Sequence, residues 1–142
     1  MKKILRIPLV LSLFFLLLAS LPLQAEEVQY EPLPGEGKTC KIGTEYSFVY
    51  QFDKKPQLGV VILKIQVSDQ NGKQSTSLKI TGNSGMPLMP GSHDSGQKEF
   101  MLNKKGNYLL PLDLAMPGGW EIKLVFSKND NVLYRGSINF DI

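Results

Sequence analysis

From Thr44 onward, apolar and polar positions alternate with a period of two, the repeat of a strand with one buried face. In the first such run Tyr46, Phe48, Tyr50 and Phe52 share a face against Glu45, Ser47, Val49 and Gln51. After a polar break with Pro56, Val60–Ser68 places Val61, Leu63, Ile65 and Val67 together. Asp69-Gln70-Asn71-Gly72 predicts a turn, because Asn-Gly accepts positive φ cheaply, with Lys73–Thr81 returning as the partner strand. Gly82–Gly96 is rich in Gly, Pro and Ser and reads as a loop. Lys98–Leu102 is a short strand, and Asn103–Asn107 turns around Gly106. Tyr108, Leu110, Leu112 and Leu114 alternate again, and Met116-Pro117-Gly118-Gly119 turns the chain into Trp120–Phe126. There Trp120, Ile122, Leu124 and Phe126 share a face, which makes Trp120 a core plug; Asn129-Asp130-Asn131 then closes a hairpin into Val132–Phe140. No stretch after residue 25 sustains a helical period. About seven short strands punctuated by turns predict an all-β fold, an immunoglobulin-like antiparallel β-sandwich.

The first 25 residues follow a different pattern: a basic start with Lys2, Lys3 and Arg6, an apolar run over Ile7–Ala19, then Pro22 and a small Ala25 before Glu26. This is the three-part pattern of a secretory signal peptide. The run is short against the roughly 20 residues of a spanning helix; retention as an N-terminal anchor is the alternative. No cysteine follows the run to take a lipid anchor. Residues 26–43, with Pro32, Pro34, Gly35 and Gly37, read as an extended leader, and 44–142 as the folded domain. The expected location is therefore the periplasm or cell envelope.

Composition then removes whole classes of function. Lys and Arg total 16 against 13 Asp and Glu. Without the three basic residues of the first six positions the body is neutral, so no basic stripe points to a nucleic acid. One cysteine excludes an internal disulfide framework, and one histidine leaves little room for a zinc hydrolase. Gly37-Lys38-Thr39 resembles the end of a phosphate-binding loop, but position 32, where that motif needs glycine, is proline. Ser92-His93-Asp94-Ser95 holds the letters of a hydrolase triad, yet adjacent residues of an extended chain cannot face one another as a triad requires. Catalysis is not expected.

The segment Pro56–Phe126 carries a family resemblance. Pro56 and Gly59 lead into an apolar strand, followed by the Asp69…Asn71-Gly72-Lys73 turn, Met86-Pro87-Leu88-Met89 with His93 shortly after, Gly106-Asn107-Tyr108, and Met116-Pro117-Gly118-Gly119-Trp120-Glu121-Ile122. In order and spacing these resemble the YtkA-like domain, a group of small exported β-sandwich proteins related to FixH. The resemblance implies periplasmic copper handling or cytochrome oxidase assembly, without enzymatic activity. Family members often carry Gly-His directly after the second methionine; here Pro90-Gly91-Ser92 intervene before His93.

The residues themselves suggest why copper fits. Thioethers are soft ligands that favour Cu(I), and imidazole also suits copper. Met86, Met89 and His93 stand close together on a Gly/Pro loop that can turn several side chains to one point without breaking a sheet. Met116 joins them if its turn lies at the same end of the sandwich. The plainer alternative makes the methionines adaptable core filler and His93 a solvated residue beside Asp94. Cys40 reads either as a small buried apolar residue or as a free thiol or soft ligand. Two functions follow: an accessory that binds Cu(I) through Met86, Met89, His93 and Met116, or an interaction module without metal or small ligand whose partners are other envelope proteins. The mature form is expected to have no membrane span.

Overall fold

A computed structural model describes residues 24–142. The signal peptide read over residues 1–25 lies outside the described residues but for Gln24 and Ala25. Among the described residues there is no helix, and therefore none long and apolar enough to cross a membrane.

The period-two runs form the strands they predict. The elements are β1 (Glu31–Pro32), β2 (Cys40–Ile42), β3 (Tyr46–Phe52), β4 (Gly59–Asp69), β5 (Lys79–Gly85), β6 (Lys98–Glu99), β7 (Met101–Leu102), β8 (Tyr108–Leu114), β9 (Gly119–Lys128) and β10 (Asn131–Asp141). They make two five-stranded sheets, ordered β1-β10-β9-β5-β6 and β2-β3-β4-β8-β7. Both sheets contribute one face to a common core. Val61, Leu63, Ile65 and Val67 of β4 are fully buried, as are Ile122, Leu124 and Phe126 of β9, with Tyr108, Leu110, Leu112 and Leu114 of β8 beside them. Alternation alone sorts these side chains inward, since successive residues of a strand point to opposite faces.

The structure departs from the sequence reading in four places. The chain after Asn71-Gly72 does not return beside β4. It makes only a bridge, Ser68 to Gln74, and then crosses to the other sheet as β5, paired with β9 and β6. The loop expected from Gly82 begins later, because Gly82–Gly85 completes β5. Gly82 is needed there: a Cβ would come within 2.8 Å of Leu110 and 3.1 Å of Phe100. The strand expected over Lys98–Leu102 is split by buried Phe100, with β6 in one sheet and β7 in the other. Finally, the segment read as an open leader supplies β1 and β2. Cys40 and Ile42 are buried around exposed Lys41, and Leu33 donates its N–H to the Ser137 carbonyl at 2.8 Å.

The outer edges of the sheets are short or interrupted. β1 pairs β10 over Glu31 and Pro32 alone, and β7 pairs β8 over Met101 and Leu102 alone. Beyond those pairs, β10 carries a bulge between Val132 and Tyr134, and β8 carries Pro111. The β3–β4 loop, the β5–β6 loop, the β8–β9 turn and the C-terminus gather at one end of the sandwich. Gly118 and Ile142 lock that end with two backbone hydrogen bonds of 2.9 and 3.1 Å.

Candidate functional site

The chemistry singled out in the sequence collects at that end. β5 sends Ile80, Gly82 and Ser84 inward, and the same alternation carries Met86 inward as the next member, 7% exposed. The last ladder pair of β5 with β9 is Gly85 with Glu121, so the pairing ends one residue short of Met86 and Trp120. Trp120 is buried, 1% exposed, and its indole Nε1–H donates to the Met116 carbonyl at 3.0 Å. That bond ties the β8–β9 turn to the core, and Met116 packs half-buried against the core cluster. Gly118 makes the close approach possible: its φ is +131°, and a Cβ there would lie 2.9 Å from Cε of Met86.

The loop after Met86 is two successive turns. Met89 donates its N–H to the Met86 carbonyl at 3.0 Å, and Ser92 to the Met89 carbonyl at 3.1 Å. It is stitched back to β5 by Ser95, whose N–H donates to the Ser84 carbonyl and whose Oγ accepts from Ser84 N–H. Between these anchors His93 holds a left-handed backbone, φ +64°, which costs a side-chain-bearing residue about 1–2 kcal/mol. In that conformation its exposed ring faces Trp120, with ring centres 6.2 Å apart and planes at 50°.

Met86, Met116, His93 and Trp120 thus all lie at this end: the His93 ring against Trp120, the Met116 carbonyl on the indole N–H, and Met86 against Gly118. Met89 is set apart from His93. It is 40% exposed and lines, with Met86, Asn83, Glu121 and Lys123, a hollow of about 320 Å³. His93 lines a neighbouring hollow of about 230 Å³ with Ser84, Leu110 and Asp113. Asp94 stands between, on the wall of both, and its carboxylate accepts from Gly96 N–H at 2.8 Å. Among the described residues no three His, Cys, Asp or Glu side chains cluster as such a metal site would need.

Cys40 lies elsewhere, in β2, buried with its thiol pointing weakly at the Lys38 carbonyl, 3.7 Å away. Burial first, and the Glu31 charge second, push its pKa above 9.0. At neutral pH it is a protonated core residue, not a reactive thiolate.

Sequence reasoning missed Trp120 as part of this cluster. The period of β9 correctly turns it inward, and the indole N–H is the one signal available: a buried tryptophan must find an acceptor, and a carbonyl of the preceding turn is the nearest source.

The model of the YtkA-like family matches residues 41–125. No curated protein matches the chain. Among solved structures, FetP of uropathogenic E. coli strain F11 aligns at 12% identity with a TM-score of 0.49, covering 75% of this chain and 93% of that one.

Proposed function

Because the chain belongs to the YtkA-like family, we propose that it is an exported, non-enzymatic β-sandwich accessory of the cell envelope that handles Cu(I), in copper delivery or oxidase assembly. The observation that carries this reading is the gathering of Met86, Met89, Met116 and His93 at one end of the sandwich, with the His93 ring against Trp120. The donors fit the ion. Two thioethers and an imidazole form a neutral set, and soft neutral ligands match a soft monovalent cation better than Zn²⁺. Met86, Met116 and His93 would hold the ion, and exposed Met89, sharing a hollow with Met86, offers a thioether at the entrance. Bound copper would supply redox chemistry to a recipient; the chain's part is to hold and surrender the ion.

Purified protein titrated anaerobically with Cu(I) against a competing chelator is expected to bind one ion per chain. Replacing Met86 and Met89 together with leucine conserves apolar volume, so stability should move by less than about 1.5 kcal/mol while Cu(I) affinity collapses. A parent protein that takes no Cu(I) from the chelator, or a double variant that binds as the parent does, would sink the reading.

A second function has its own observation. Leu88 at the crest of the same loop is 93% exposed beside Met89. A large apolar side chain held out in solvent by two tight turns suits contact with another envelope protein, with or without metal.

A further inference from the structure

We propose that Tyr46, held between Lys128 and Ser77 at the end of the sandwich opposite the methionine-bearing loop, is a nucleophilic site that takes an acyl group from small activated acyl donors. The cluster stands independently of the copper reading, and three segments build it. Tyr46 opens β3, Lys128 ends β9, and Ser77 stands just before β5. The Tyr46 ring packs half-buried against the core, which fixes its hydroxyl at the surface. Lys128 Nζ donates to that oxygen at 2.7 Å, and Ser77 Oγ lies 3.2 Å from it. Lys128 Nζ is 5.3 Å from the ring centre, so the ammonium stands beyond the oxygen and not over the π face. Ser77 is held in turn by Ser75, 2.9 Å between hydroxyl oxygens, and Ser75 is tied to β4 by its N–H on the Val67 carbonyl at 2.8 Å.

An ammonium donates and never accepts. The Tyr46 oxygen therefore accepts from Lys128, and its own proton is free to point at Ser77 Oγ. A positive charge at hydrogen-bond distance favours the phenolate over the phenol. The Lys128 bond first, and the Ser77 bond second, hold the Tyr46 hydroxyl below 10.0, against desolvation and the Glu45 charge. Asp69, across the ladder from Tyr46, turns its carboxylate to its own loop, where it accepts from the Asn71 and Lys73 N–H groups. Tyr50, Tyr108 and Tyr134 are shifted the other way by burial, and the first two spend their hydroxyl protons on the Pro34 and Leu78 carbonyls. In the step, the Tyr46 oxygen attacks the acyl carbon and forms an ester bond, while the bond from that carbon to the leaving group breaks and its electron pair goes with the leaving group. The phenol proton passes by way of the Ser77 hydroxyl to solvent, and the leaving group takes one proton from solvent. Lys128, itself pushed above 10.5 by the same bond, keeps its proton and stabilises the charge of the attacking oxygen.

The test treats purified protein with limiting N-acetylimidazole at neutral pH and maps the acetylated positions by mass. Hydroxylamine removes acetyl from tyrosine but not from lysine, so only the hydroxylamine-labile label counts. Tyr30 is the internal reference: it is half-buried as Tyr46 is, with the Lys123 ammonium 5.4 Å from its ring centre but, among the described residues, no hydrogen bond at its hydroxyl. Tyr46 is expected to gain labile label at least about threefold faster than Tyr30. Lys128→Met, which keeps the length of the side chain without its charge, should lose that excess. Equal rates at Tyr46 and Tyr30 in the parent would overturn the proposal, because exposure alone would then account for both. A folded Lys128→Met variant labelled at Tyr46 as fast as the parent would overturn it equally. If Lys128→Met does not fold, the comparison within the parent decides.

Discussion

At the scale of single residues, Trp120 carries the most weight. It closes one end of the core between the two sheets, donates to Met116, and meets His93. Trp120→Ala removes a buried indole from a site framed by backbone on one side, so collapse around the cavity is limited. The expected cost is about 3–5 kcal/mol, a large part of the roughly 5–15 kcal/mol that holds a domain of this kind together. Chemical denaturation measures it, and a loss below about 1 kcal/mol would contradict the core assignment. The inward face of Trp120 is legible in the sequence because Ile122, Leu124 and Phe126 repeat it at every second position. Its contact with His93 is not legible. That contact depends on a left-handed backbone at a residue with a side chain and on the register of β5 against β9, neither of which has a local signature.

At the scale of elements, β4, β8 and β9 are legible because each has a buried face that recurs at every second position. The short ones are not. β1 and β2 have two and three residues, too few for a period to show, and they lie in a stretch whose prolines and glycines signal open chain. What makes them strands is tertiary: the Leu33 N–H bond to Ser137, the Tyr50 hydroxyl donating to the Pro34 carbonyl at 2.8 Å, and Leu33 seated on Gly136. A Cβ at Gly136 would lie 2.8 Å from Leu33 Cδ2, so the absence of a side chain there is what admits the leucine. The crossing of β5 to the second sheet was hidden for a related reason, since Asn-Gly specifies a turn but not which partner the next strand takes. A chain beginning at Gly35 would lose β1, a half-buried leucine and two hydrogen bonds. The expected loss is about 2–4 kcal/mol, seen as a lower urea midpoint with the rest of the sandwich still folding cooperatively. An unchanged midpoint would return this segment to the status of a leader.

At the scale of the whole molecule, the described residues respond to alkali through their tyrosines. Burial first, and the Glu31 charge second, push Tyr134 from 10.0 up to about 12. Burial is also the leading cause that raises Tyr50 and Tyr108. The folded state keeps these protons where the unfolded chain has released them, so the stabilisation is complete below about pH 10 and is lost as pH rises toward 12. Tyr46, lowered chiefly by the Lys128 ammonium that donates to it at 2.7 Å, opposes the trend. The urea midpoint should hold steady up to about pH 9, begin to fall there as the unfolded chain releases the Cys40 thiol proton, and fall further above about pH 10, less steeply in Tyr134→Phe; a flat profile to pH 11.5 would contradict these burials. The margins of the sandwich have a consequence of another kind. Where β10 and β8 run past their two-residue neighbours, the first is bulged between Val132 and Tyr134 and the second lacks an N–H at Pro111. Neither margin offers a straight, fully equipped template on which a passing chain can lay itself. Strand addition along β10 and β8 is therefore discouraged, which leaves recognition of this domain to its loop-bearing tips and to the β6 and β2 margins.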